Sequence, residues 1–379
     1  MNVLIACDSF KDALSATEVC NAIAEGILYN FPESQIIQKP LADGGEGTLE
    51  ALKVALNGTY QFVQTFDALH RPIEASYLWI AQQKIAIVEM AKASGLELLK
   101  PEERNVMTTS TFGTGVLIRH ALDKGAQKIF LTVGGSATND AGMGMAKALG
   151  YKFLDDKGNY LEASGENLKK IASINAKNID KRIHLTEFYV ATDVTNPLFG
   201  KNGAAYIYAP QKGANQEEVV ELNHGLEHIH QLFKDTFSID TQEIAGSGAG
   251  GGIGAGGICF LGGKVISAAN WVFEAIGLSS AIEQTDIVIT GEGRIDSQSF
   301  QGKVLSEVLK YAKTYHKPIF GVAGQIQELD KLLEIPEMVY VSAIQTGPQS
   351  LADSLKNSRE LLIQKGKVIG KMLKTIYHG

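Results

Sequence analysis

Three cysteines in 379 residues leave little for a disulfide framework. Cys7, Cys20 and Cys259 form no Cys-x-x-Cys pair, which excludes a zinc ribbon and points to a reducing compartment. Also missing is any apolar run near the roughly 20 residues that a bilayer demands, so no membrane partner is expected. The start, Met1-Asn2-Val3-Leu4-Ile5-Ala6-Cys7, turns polar at Asp8 without a basic leader, and a cytoplasmic location is the expectation. Positive charge is short as well: 35 Lys and Arg stand against 42 Asp and Glu, a net charge of −7. Nucleic acid and anionic membranes are therefore not expected as main partners. A local cationic cleft for a small phosphate ligand stays allowed. Gly302-Lys303 has neither the upstream glycine nor the following hydroxyl of a Walker loop, so a P-loop is excluded. His-Glu-x-x-His is absent too, and His224, His228 and His230 share an expected helix that reads as surface rather than zinc site.

Glycine, in contrast, is abundant: 40 residues, ten of them between Gly246 and Gly263. The most telling stretch lies elsewhere. Gly134-Gly135-Ser136-Ala137-Thr138-Asn139-Asp140-Ala141-Gly142 follows the apolar run Lys128–Val133 and precedes the helix-like Met143–Leu149. A buried strand, a glycine and hydroxyl turn and a helix start present backbone N–H groups and a positive helix end to an anion. Four further loops just past strand ends carry carboxylates: Asp8, Asp43 with Glu46, Asp193, and Glu292 with Asp296. In open α/β sheets ligands collect at such ends. Each aspartate alone could be a helix N-cap; four loops that also hold glycine and Asn, Ser or Thr favour function. Lys11 and Arg294 lie beside them, where a cation can neutralise a transferring phosphoryl group.

Alternation of strand and helix marks both ends of the chain: strand 3–7, a capping-box start at Ser15–Glu18, then strands near 36–37, 286–290, 318–322 and 338–344. The middle breaks the pattern with strand-like segments 61–66, 76–80 and 85–90 and no helix between them. The expected fold is α/β: a discontinuous Rossmann-like three-layer domain from residues 1–63 and 283–379, with a large inserted second α/β domain at 64–282. The glycine-dense segment contains Gly-x-Gly-x-x-Gly at Gly252, Gly254 and Gly257. No strand of normal length leads into it and no acidic residue follows at the expected distance, so a nicotinamide-dependent oxidoreductase is only an alternative. A non-catalytic nucleotide-binding regulator is another.

Taken together, the loop at 134–142, Asp8-Ser9-Phe10-Lys11, Ala42-Asp43-Gly44-Gly45-Glu46-Gly47-Thr48, Asp193-Val194-Thr195-Asn196-Pro197-Leu198, the 246–257 segment and Thr290-Gly291-Glu292-Gly293-Arg294-Ile295-Asp296 resemble the type 1 glycerate kinase family. The resemblance implies ATP-dependent phosphorylation of D-glycerate with Mg²⁺, the 2- and 3-phospho products both open, on two α/β domains; a kinase for another small hydroxyacid is the alternative. Roles then follow from chemistry. Asp296 or Asp193 serves as base, with Lys11 and Arg294 as charge partners. Asp193 and Glu292 are expected to hold the metal, and Asp8, Ser9, Asp43, Glu46 and Asn196 the substrate. Nucleotide phosphates fall to Gly134, Gly135, Ser136, Asn139, Asp140, Gly248, Gly250 and Gly252.

Overall fold

The computed structural model describes residues 1–42, 47–300 and 304–378, the side chain of Gln298 excepted. Asp43 and Glu46 lie outside the described residues. Thirteen strands are described: β1 (Asn2–Cys7), β2 (Gln35–Gln38), β3 (Thr59–Phe66), β4 (Pro72–Ile80), β5 (Ile85–Glu89), β6 (Lys128–Thr132), β7 (Lys152–Leu154), β8 (Ser173–Asn175), β9 (Glu187–Ala191), β10 (Lys264–Ile266), β11 (Ile287–Ile295), β12 (Ile319–Ile326) and β13 (Met338–Ala343). The described residues divide into two compact units, one holding 1–42, 50–56 and 269–378, the other 47–49 and 57–268. The boundary expected at 63/64 cuts through β3, which pairs with β4 along its whole length from Thr59. That expected at 282/283 cuts the helix Leu278–Glu283. The polar opening of β3, Thr59-Tyr60-Gln61, hides where the change of pattern begins.

In the first unit the sheet order is β13-β12-β11-β1-β2, and all pairings are parallel. β1 lies inside the sheet, between β11 and β2, and is buried from Val3 to Cys7, which is why it reads as a continuous apolar run. The chain leaves β1 for β2 on one side and returns at β11 on the other. The carboxyl ends of β1 and β11 therefore flank a topological switch point, where α/β sheets hold ligands. Ser15 caps the helix Ala16–Asn30: the Glu18 N–H donates to Ser15 Oγ at 3.3 Å and the Ser15 N–H to the Glu18 carboxylate at 2.8 Å. That helix packs on the C-terminal helix Ser358–His378 through glycine, since a Cβ at Gly26 would sit 2.2 Å from the Ile363 carbonyl oxygen.

The second unit is built on the mixed sheet β10-β9-β6-β5-β4-β3, antiparallel from β3 to β5 and parallel from β5 to β10. Its core joins Val88, Leu131, Leu117, Leu226 and Ile253. The small hairpin β7–β8 is absent from the sequence reading, because three-residue strands carry no periodicity to detect. The glycine-dense segment forms a buried stretch, Ala249–Leu261, that is kinked by the non-helical Gly250, Gly251 and Gly252, all at positive φ, and is helical beyond them. A Cβ at Gly251 would stand 1.9 Å from the Thr138 carbonyl oxygen. No described helix is long and apolar enough to cross a membrane.

Candidate active site

In the first unit, the loop after β1 lies against the end of β11. The Asp8 N–H donates to the Gly291 carbonyl at 2.8 Å, and the Ser9 N–H to Asp8 Oδ1 at 2.6 Å. A Cβ on Gly293 would be 3.3 Å from Phe10 Cα and 3.4 Å from the Lys11 nitrogen, so glycine permits this approach. Asp8, Ser9, Lys11, Glu292, Arg294 and Asp296 are thus drawn to one corner of the sheet. Lys11 is exposed, Glu292 and Asp296 are half-buried. Arg294 donates to Gln327 Oε1 at 2.8 Å and holds its Nε 3.6 Å from Asp296 Oδ2.

The second unit gathers its functional groups at the carboxyl ends of its parallel strands. Asp193, past β9, is exposed and accepts from Ser267 Oγ at 2.7 Å. Asn196 is committed to its own loop, donating to the Asn202 carbonyl at 2.8 Å and accepting from the Tyr208 hydroxyl at 2.6 Å. Past β6, only Gly134 and Gly135 of the nine-residue loop are exposed; Ser136 to Asp140 are buried. Among the described residues, nothing accepts from the N–H of Gly134, Gly135 or Ser136. Gly135 takes φ +69°, which turns the tip outward. The tip opens on a cavity of about 310 Å³ that Glu89, Lys92, Ser76 and Phe62 also line.

Asp140 is a foundation of this loop. Its Oδ2 accepts from the Thr111 N–H and hydroxyl, both at 2.8 Å, and from the Gly144 N–H at 3.1 Å; Oδ1 accepts from the Gly142 N–H at 3.1 Å. Burial pushes its carboxyl up, and these donors pull the other way. Every oxygen of Asp140 is engaged and none of its surface is exposed. Asn139 is fully buried, and its amide oxygen and nitrogen have no partner among the described residues. The glycines 248, 250 and 252 lie against close neighbours. A Cβ at Gly248 would meet the Pro197 carbonyl at 2.2 Å, at Gly250 the Ile253 side chain at 2.6 Å, and at Gly252 the Leu198 side chain at 2.9 Å and Ala141 Cα at 3.0 Å. They let backbones pack closely. The Gly252–Gly257 match opens at the non-helical Gly252 and runs into the helix with no strand leading into it, and so lacks the dinucleotide context.

Two residues escape the sequence reading. Glu89 ends β5, is 3% exposed and pairs in register with Thr132 of β6. Its signal was available: a carboxylate closing the apolar run Ile85-Ala86-Ile87-Val88. Lys212 had none, for a lysine between Pro210 and Gly213 reads as an ordinary turn. It is 2% exposed, and its ammonium donates to Ser136 Oγ and the Thr138 carbonyl, each at 2.7 Å. Burial lowers it to about 7, with Asp140 opposing. The histidines bond internally, His228 to the Ile171 carbonyl and His230 to Thr241. No set of three His, Cys, Asp or Glu among the described residues is placed to hold a metal.

The model of the glycerate kinase family matches residues 3–374. A protein named Glycerate 2-kinase from Escherichia coli strain K12 is 44% identical over 328 residues, 86% of each chain. Glycerate kinase from Bacillus subtilis strain 168 is 36% identical over the full length of both. The crystal structure of a putative glycerate kinase 2 from Salmonella typhimurium LT2 covers all of both chains with a TM-score of 0.88 at 39% identity. Continuous from one end of the chain to the other, these matches include every described loop of both units discussed above, and the chain belongs to the glycerate kinase family.

Proposed function

We propose that this protein transfers the γ-phosphoryl group of ATP to the 2-hydroxyl of D-glycerate. Membership of a kinase family implies ATP use, and the E. coli relative's name favours the 2-position. The observation that carries the reading is the exposed Gly134–Gly135 tip, with unbonded N–H groups, opening on a cavity at the carboxyl ends of β5 and β6. Such a tip receives anionic oxygens as a helix start or nest does.

The glycerate oxygen attacks the γ-phosphorus, the bond to the ADP oxygen breaks, and the hydroxyl proton passes to a carboxylate. Asp296 or Asp193 accepts it. Lys11 and Arg294 offset the charge of the transferring group, and Asp8 and Ser9 orient the acceptor. Asp43 and Glu46 share that task on the strength of the sequence alone. Mg²⁺ binds through one or two carboxylates together with substrate phosphates, a task for which the sequence alone offers Asp193 and Glu292. Bound there, the ion neutralises phosphate charge. Three buried, unpaired cysteines suit a reducing cytoplasm.

Phosphorus NMR of the product, with an enolase-coupled assay, tests the reaction. A phosphoglycerate that enolase consumes directly supports the 2-position; a product that enolase leaves untouched assigns the 3-position. Absence of turnover with glycerate overturns the proposal. Excess chelator abolishes turnover if the metal is required. The amide variants Asp296→Asn and Asp193→Asn separate the two carboxylates, and loss of the base lowers kcat by about 10²–10⁴-fold.

A further inference from the structure

The 134–142 loop is held from behind by a single long side chain. Lys212 ends the short 3-10 turn Pro210–Lys212, and Gly213 follows it at φ +97°. A Cβ on Gly213 would stand 2.2 Å from the Arg104 carbonyl, so the turn is pressed against residue 104 and has little freedom. From there the ammonium reaches Ser136 Oγ and the Thr138 carbonyl, one on each side of Ala137. Other bonds complete the clamp. The Leu96 N–H donates to the Gly135 carbonyl at 2.8 Å, the Ala137 N–H to the Ser94 carbonyl at 2.9 Å, and Thr109 Oγ1 to the Ala137 carbonyl at 2.8 Å. These bonds all engage groups other than the N–H of Gly134, Gly135 and Ser136. The clamp thus engages the Gly135, Ala137 and Thr138 carbonyls and Ser136 Oγ, and leaves three N–H donors at the tip.

We propose that Lys212 is a positioning residue for this reaction. It fixes the 134–138 tip in its anion-receiving form and supplies a buried positive charge behind it. The anion is an oxygen group of a substrate: a nucleotide phosphate or the glycerate carboxylate. The inference rests on the kinase reading above and adds to it a residue that touches neither the cavity nor solvent. The charged neighbour acting on Lys212 is Asp140, and its oxygens are already engaged by Thr111, Gly142 and Gly144. With burial lowering Lys212 to about 7, an anion at the tip favours the ammonium, and the ammonium favours the anion.

The test compares wild type with Lys212→Met, close in length and uncharged, and with Ser136→Ala, which removes one bond and keeps the lysine. Steady-state KM for ATP and for glycerate is measured from pH 6 to 9, alongside melting temperature. The expected result is a rise of about tenfold or more in one KM for Lys212→Met, with a smaller rise of the same KM for Ser136→Ala and smaller changes in kcat. The substrate whose KM rises identifies the anion at the tip. In wild type that KM increases as pH passes upward through about 7, and in Lys212→Met this dependence is lost. A folded Lys212→Met enzyme with both KM values and the pH profile unchanged overturns the inference. So does a fall in kcat alone. If Lys212→Met does not fold, an unchanged KM and pH profile in Ser136→Ala overturns it by the same measure. Wild type without glycerate turnover is a different result, and sinks the kinase reading instead.

Discussion

The two units present loops of similar composition at the ends of parallel strands, yet they hold them in opposite ways. In the first unit the charged groups stand in or near solvent, and Arg294 and Asp296 meet at 3.6 Å with side chains 57% and 28% exposed. In the second, the loop after β6 is exposed only at Gly134 and Gly135, while a lysine and an aspartate sit fully buried beneath it. Exposed ion pairs contribute little to stability and leave side chains free to move toward a ligand. A buried polar framework costs much to disturb and keeps its donors aimed. Mobile charge and fixed geometry are thus assigned to different loops.

That contrast has a steep energetic gradient. Gly251→Ala sets a Cβ against the Thr138 carbonyl at a residue with φ +73°. It is expected to destabilise the second unit by more than about 3 kcal/mol. Calorimetry showing a loss under 1 kcal/mol would mean the helix and loop are not locked together. Asp140→Ala strands the four donors that converge on this carboxylate. A cost of about 3–5 kcal/mol in chemical denaturation is expected; a near-neutral effect would remove the idea of a rigid foundation.

Lys212 gives the buried side a pH signature. Unfolded, the lysine keeps its proton to about 10.5; folded, burial lets it go near 7. Between those values the unfolded chain binds the extra proton, so this residue's contribution to stability rises with pH. Stability of wild type relative to Lys212→Met should climb over that window and be flat below it; the reverse slope would show the lysine to be stabilised as a cation. On the exposed side, Lys11→Ala should lower kcat/KM about tenfold, ~1.4 kcal/mol, and leave the melting curve in place. A matching loss of stability would make Lys11 structural. Smallest of all, Arg294→Gln should change stability by no more than about 1 kcal/mol, whatever it does to turnover. A larger change would place that pair with the buried framework.

Local patterns were legible before any coordinates. Ser15 and Glu18 form the capping box that their spacing announces. β1 and β6 fall where apolar runs place them, because strands buried on both faces leave an uninterrupted signature. The loop 134–142 is recognisable for the same reason, as a polar break between two apolar segments. Its division into an exposed tip and a buried base was not, since Asn139 and Gly135 look alike as loop residues. At 248–252 glycine density suggests a phosphate cradle, and what it left unread is the close packing of this backbone against residues 138–141 and 197–198. Lys212 stands more than seventy residues from Ser136, and a contact of that range leaves no trace in spacing.

The glycine contact between the helices Ala16–Asn30 and Ser358–His378 sets an order of events during synthesis. Ile23 and Ile27 belong to a core that also needs Leu362, Ile369 and Leu373. The first unit therefore waits for the helix Ser358–His378 to be made, although its strand β1 is made before any strand of the second unit. Residues 57–268 emerge in one piece and have their own core well before that moment. Translation arrested near residue 300 should yield a nascent chain whose middle resists protease and whose first fifty residues do not.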